Sequence, residues 1–270
     1  MTRKHFAIPP EENIVAAGEN CLCLVEIRGA KMHGILQQDE KGWYYQLDEN
    51  LKRNAMAYPS GHSSCSTTIA IDMTEANSLR QRLGQESRTW VSVTSLLIKA
   101  SADVLPDFPI LCGVWESLDR IRCPNPKEID IVGPIQVADT IGFFYIDRAN
   151  QKELLQITGE LKTQVDEIRV NSVKEARYSE RQFSPSFCIS NVGTLGPIEA
   201  VSGPVAWFAT SILGICSTLE KPVVKQGQIM IRQIMNVVLG WDHRAMMGNI
   251  PAEFLTQLKI RLEQPETYLV

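Results

Sequence analysis

Ile231-Arg-Gln-Ile-Met-Asn-Val-Val-Leu-Gly-Trp241-Asp-His-Arg-Ala-Met-Met-Gly248 is an apolar run that enters a charged tripeptide and stops on glycine. The aliphatic and β-branched residues of Ile234–Gly240 predict a strand, with a second strand-like run at Gln228–Met230. Beyond the glycine, Pro251 is a good first-turn residue and opens a helix to about Leu262. His243 thus sits where a strand gives way to a tight turn, a rigid place from which to aim a side chain into a cleft. Its unperturbed pKa also suits general-base work near neutral pH. The other three histidines are less well placed. His5 lies in a tail and His33 and His62 in polar turns, where a solvated imidazole is the plainer reading. On the residues alone, His243 is either such a base or a hydrogen-bonded loop residue.

Working outward, Leu22–Ile27 and Trp43–Leu47 look like short strands around a turn region at Gly29–Gly34. The turn-rich stretch Tyr58-Pro-Ser-Gly-His-Ser-Ser64 leads into a strand at Ser66–Asp72. Thr74 is expected to cap a helix to about Leu83, and a second helix spans about Val91–Val104 before Pro106. Residues 129–137 and 142–146 read as strands. Asn150–Arg169 is helical in its spacing, with Leu154, Leu155, Ile157, Leu161, Val165 and Ile168 on one stripe. Phe187–Ser190 and Trp207–Ile215 are strand-like. Helices and strands mix without the regular alternation of a doubly wound fold, so the reading is an α/β mixed-sheet sandwich.

The 270 residues carry 27 basic and 31 acidic side chains, a formal net charge of -4, and are 44% hydrophobic. That is an ordinary globular composition, long enough for one large core. A mildly acidic chain without a basic run is a poor nucleic-acid binder. The N-terminus lacks the apolar core of a secretory signal, and Val205–Ser217 is too short to span a bilayer. Seven scattered cysteines then read as reduced thiols of a cytoplasmic protein. Cys21-x-Cys23 with His33 nearby has no second ligand pair, so no metal is expected. Dinucleotide-binding, phosphate-loop and nucleophile-elbow signatures are absent.

Phe187-Cys-Ile-Ser-Asn-Val-Gly193, Lys221-Pro-Val-Val, Ile231–Leu239 and Asp242-His-Arg-x-x-x-Gly248 follow one another in an order that resembles the catalytic core of the dihydrolipoamide acyltransferases of 2-oxoacid dehydrogenase complexes. Ile71-Asp-Met-Thr-Glu75, Leu97-Ile-Lys-Ala-Ser101, Phe108-Pro109 and the closing Phe254–Glu266 fit the same pattern. The resemblance covers roughly residues 53–270 and leaves residues 1–52 as an N-terminal extension of unknown role. Chloramphenicol acetyltransferase is a more distant relative with the same fold. The resemblance implies a chloramphenicol acetyltransferase-like sandwich, trimeric or a multiple of trimers, with active sites between subunits. It further implies a coenzyme A thioester such as acetyl-CoA as co-substrate. His243 would be the general base and Ser190 the donor to the tetrahedral oxyanion, although a strand hydroxyl satisfied by backbone is the alternative for Ser190. Asn191, Asp242, Arg244, Met247 and Phe143 are the expected substrate-binding residues.

Two departures shape the functional expectation. Met247 stands where the family pattern Asp-His-Arg-x-x-Asp-Gly has its second aspartate, so altered loop packing or acceptor choice is expected. Gly142-Phe-Phe-Tyr145 falls where the family has a Gly-Leu stretch, either as core packing or as a reshaped acceptor side. No Asp-Lys-Ala lipoylation site precedes the core, and Lys31 reads as a surface lysine, so no lipoyl attachment is expected. The leading expectation is acetyl transfer to a hydroxyl of a small natural-product acceptor, as in lipoyl-free relatives of tetronate pathways. S-acyl transfer to a lipoamide or carrier-protein thiol is the alternative, and a catalytically silent trimeric scaffold is the third.

Overall fold

The long hairpin formed by β9 (Ser211–Lys225) and β10 (Gln228–Asp242) is the spine of the larger sheet in this computed structural model. The structure describes residues 34–57, 63–137, 140–171, 184–202, 205–206 and 208–270. Gln226 and Gly227 join the two strands at φ values of 52° and 77°, the positive pair that a tight two-residue hairpin turn requires. The two strand-like runs expected in 228–240 are one strand, because Ile231, Arg232 and Gln233 keep pairing with Pro222, Lys221 and Glu220. Pro222 is tolerated because β8 (Phe187–Asn191) pairs with β9 only over Leu213–Ile215, which leaves the outer part of β9 an edge. The strand expected over Trp207–Ile215 begins at Ser211 and runs ten residues further; Trp207 lies outside the described residues.

β3 (Ser64–Asp72) flanks β10 on the other side, and β6 (Ile131–Val137) and β7 (Thr140–Ile146) complete the order β3-β10-β9-β8-β6-β7. β8 runs parallel to both neighbours and every other pairing is antiparallel, so the sheet is mixed as expected. A smaller antiparallel sheet has the order β1-β2-β5-β4, from β1 (Gly34–Asp39), β2 (Gly42–Leu47), β4 (Val114–Ser117) and β5 (Arg120–Arg122). With α1 (Glu49–Ala57) it buries Leu36, Tyr45, Leu47 and Leu51 in the same apolar cluster as the large sheet. From Gly34 onward the expected turn region is therefore strand. Leu22–Ile27, Cys21, Cys23, His5, Lys31, His33 and His62 lie outside the described residues.

Helices α2 (Thr74–Ser87), α4 (Leu154–Asn171) and α5 (Asn249–Glu263) pack with the large sheet, α3 (Val93–Ala102) packs chiefly on α4 and α5, and α6 (Pro265–Tyr268) closes the chain. Thr74 does not cap α2 as expected. It is the first helical residue, and both its amide (3.1 Å) and its hydroxyl (2.6 Å) donate to the Asp72 carboxylate, which thereby serves the helix start. Ser92 caps α3 by accepting the Ser95 amide at 3.0 Å, so this helix starts two residues later than its apolar pattern suggests. In α4 the stripe holds at Leu154, Ile157 and Leu161, whereas Leu155 is exposed because it falls outside the narrow arc facing the sheet. Phe254 of α5 meets Phe108 and Phe187 edge-on, with ring centroids 6.0 and 5.4 Å apart, and so ties the last helix to β8.

Candidate active site

Ser190 occupies the penultimate position of β8, opposite Gly214 of β9. The chain leaving β8 lies flush against β9. The Gly193 amide donates to the Ile215 carbonyl (3.1 Å) and to the Asn191 side-chain oxygen (2.9 Å). A Cβ at Gly193 would sit 2.4 Å from the Cys216 carbonyl oxygen, so only glycine allows this close approach. The Asn191 amide nitrogen donates to the Thr94 hydroxyl at 2.9 Å and fastens the strand end to the start of α3.

Ser190 and Asn191 stand on the wall of an open cavity of about 1040 Å³ lined by β8, β6, β7, α4 and the start of α3. Ile135, Phe144, Leu161 and Ile189 give it apolar walls, and Ser92 and Thr94 add hydroxyls. Its size is that of a small-molecule site, with a few polar groups set among apolar ones. Phe144 is buried and its ring fills the hollow left by Gly133, where a Cβ would lie 2.3 Å from it. Phe143 follows the strand alternation to the opposite face of β7, so of the two aromatics the cavity receives Phe144.

His243 immediately follows β10, and its amide donates to the Ser63 carbonyl at 2.9 Å. Its imidazole lies against the Trp241 indole, centroids 5.0 Å apart and planes at 34°. Asp242 and Arg244 turn their charges on each other. The Asp242 carboxylate accepts the Arg244 amide (2.9 Å), Nε (3.0 and 3.1 Å) and Nη2 (2.6 Å). It also accepts Trp115 Nε1 at 3.2 Å, and the Arg244 guanidinium lies over the Trp115 ring at 4.8 Å. Both charged side chains are buried, and a buried pair is tolerable only when hydrogen-bonded this fully. Asp242 and Arg244 therefore brace the turn from one side. Met247 packs against the apolar core and its carbonyl accepts the Ile250 amide (3.2 Å) as α5 begins.

The two residues expected to act together are apart within one chain. Ser190 is level with Gly214, which is level with Val238, and His243 lies five residues further along β10. Two strand spacings across and five residues along put their Cα atoms roughly 20 Å apart. Trp115 and Thr94 were not singled out by the sequence reading, and Phe144 only as part of Gly142-Phe-Phe-Tyr145. Trp115 is 127 residues from Asp242 and Thr94 is 97 from Asn191, so no local spacing points to either. Among the described residues no group of three or more His, Cys, Asp or Glu side chains could hold a metal ion, and no helix is long and apolar enough to cross a membrane.

A family model described as 2-oxoacid dehydrogenases acyltransferase (catalytic domain) matches residues 53–270. The dihydrolipoyllysine-residue acetyltransferase component of the pyruvate dehydrogenase complex of Rickettsia prowazekii is 28% identical over 206 residues, covering 76% of this chain and 48% of that protein. The chain thus spans about half the length of the curated relatives it matches. Among solved structures, Azotobacter vinelandii dihydrolipoamide acetyltransferase superposes with a TM-score of 0.66 at 24% identity, over 82% of this chain and 88% of that one. Its crystallographic and enzymatic investigation concerns the role in that enzyme's mechanism of one serine, one histidine, and one asparagine four positions after the histidine. A chloramphenicol acetyltransferase superposes with a TM-score of 0.56 at 12% identity, over 82% of this chain and 94% of that one. The fold is therefore the chloramphenicol acetyltransferase-like α/β sandwich.

Proposed function

Because this chain belongs to the 2-oxoacid dehydrogenase acyltransferase family by its match over residues 53–270, we propose that it moves an acyl group from coenzyme A to an acceptor in a site completed by two copies of the chain. The observation that carries this reading is the placement of the two polar groups. Ser190 is on the wall of the large cavity, while His243 is held at a braced strand end roughly 20 Å away by strand geometry. A thioester carbonyl and its attacking group span only a few ångströms, so His243 of one copy and Ser190 of another must converge. A trimer closed by one repeated head-to-tail contact would build such a site three times.

In this site the neutral His243 imidazole takes the proton of the acceptor as its sulfur or oxygen attacks the thioester carbonyl carbon. Negative charge moves to the carbonyl oxygen, where the Ser190 hydroxyl donates a hydrogen bond. Collapse breaks the carbon–sulfur bond, and the departing coenzyme A thiolate recovers the proton from the imidazolium. Met247 stands four residues after His243, where the Azotobacter enzyme has its asparagine, and contributes only a thioether.

The names of the relatives favour a lipoyl dithiol as acceptor, which makes S-acyl transfer the first reading. Transfer to a small-molecule hydroxyl is the second, and the thioether of Met247, four residues after the base where the Azotobacter enzyme has its asparagine, is the observation that favours it. Thiol release from acetyl-CoA, measured with dihydrolipoamide and with hydroxymethyl acceptors including a tetronate, separates the two. His243→Ala is expected to lower turnover by ~100–10,000-fold, and Ser190→Ala by about 100–1000-fold. Full turnover by His243→Ala would refute the mechanism.

A further inference from the structure

We propose that Trp241 is a positioning residue for His243: its indole, fixed from the neighbouring strand by Thr67, sets the plane in which the imidazole is presented. The inference rests on His243 being the base. Trp241 and His243 are two residues apart at the end of β10 and so share one side of the chain, which is how their rings come to lie 5.0 Å apart at 34°. A tilted, offset contact of this kind is a favoured aromatic arrangement.

The indole is itself held on several sides. Its Nε1–H donates to the Thr67 hydroxyl at 3.1 Å, and Thr67 lies on β3 one pleat from Cys65, the residue directly opposite Trp241. Its six-membered ring faces Gly248 at the start of α5, where an added Cβ would be in ordinary contact, 3.8 and 3.9 Å from Cζ2 and Cη2. The rest of the side chain is buried in the core. His243 is meanwhile anchored through its amide to Ser63. The terminal torsion of a histidine is broad by nature, and an immobile indole against one face narrows it.

The test compares wild type with Trp241→Leu, Trp241→Phe and Thr67→Val, using His243→Ala to assign the imidazole resonance. Ring-current displacement of the His243 carbon-bound protons is read by NMR at one pH, alongside kcat, KM for acetyl-CoA and a melting curve. In Trp241→Leu the displacement should collapse and kcat should fall by about 10–100-fold with KM within about twofold, the cost of a misplaced catalytic group. Trp241→Phe should restore most of both, and Thr67→Val should move both partway without unfolding the chain. Folded Trp241→Leu with an unmoved resonance and wild-type kcat would overturn the proposal. Should that variant fail to fold, Thr67→Val with wild-type resonance and kcat would overturn it equally. Full turnover by His243→Ala would instead remove the functional reading on which it rests, while the ring-current displacement, which needs no turnover, would still report the clamp.

Discussion

Arg244 and Asp242 put a full ion pair inside the protein two residues apart, and that choice sets how firmly the histidine between them is held. Their side chains are 9% and 5% exposed, so removing one partner strands the other charge away from water. Arg244→Met should therefore cost about 3–5 kcal/mol, far more than a surface pair would. Urea unfolding checks this, and a loss below about 1 kcal/mol would mean the pair is solvated and does not brace the turn. The tripeptide was readable from sequence because its partners are neighbours in the chain. Its role was not. Asp242 and Arg244 are among the expected substrate-binding residues, and the structure adds that the distant Trp115 of the smaller sheet donates to Asp242 and lies under the Arg244 guanidinium.

Asp72 does comparable work between elements. It ends β3, receives the first residue of α2, and pairs with Arg232 of β10 at 2.8 Å. Partial burial pushes its carboxyl upward, but the hydrogen bonds from Thr74 and Arg232 outweigh that and bring it down to about 2. A folded pKa below the unfolded value of about 3.9 contributes stability that is complete above pH ~4 and is lost as the pH falls toward 2. Asp72→Asn should thus be less stable than wild type by about 2 kcal/mol at pH 7, and the two should converge near pH 2. Melting curves across that range decide it, and a gap that persists unchanged at pH 2 would place the effect elsewhere. Elements with strong local patterns were readable in the sequence: β8, α3, α5 and the apolar half of β10. Those that were missed or cut short draw their stability from distant pairing. β4 and β5 are four and three residues long, β1 exists through β2, and the polar middle of β10 stays a strand because β9 runs beside it.

At the scale of the whole molecule, the separation of Ser190 and His243 is the feature from which most else follows. Sequence order places them 53 residues apart and says nothing of their distance, since the intervening β9 hairpin could have folded them together. The sheet order instead sets them two strands apart and at different heights. The cavity beside Ser190 was equally hidden, because its walls come from α3, α4 and β6–β7, which meet β8 only in three dimensions. Both facts support the proposal of a site shared between copies. The most direct test mixes His243→Ala and Ser190→Ala chains, each inactive alone, by co-expression and purification through two tags. If the site lies between copies, two-tag purification keeps only mixed assemblies, and in a mixed trimer one contact in three joins an intact histidine to an intact serine, so about a third of wild-type acyl transfer should return. If the two residues work within one chain, the mixture will be as inactive as either variant alone, and the proposal of a shared site will be wrong.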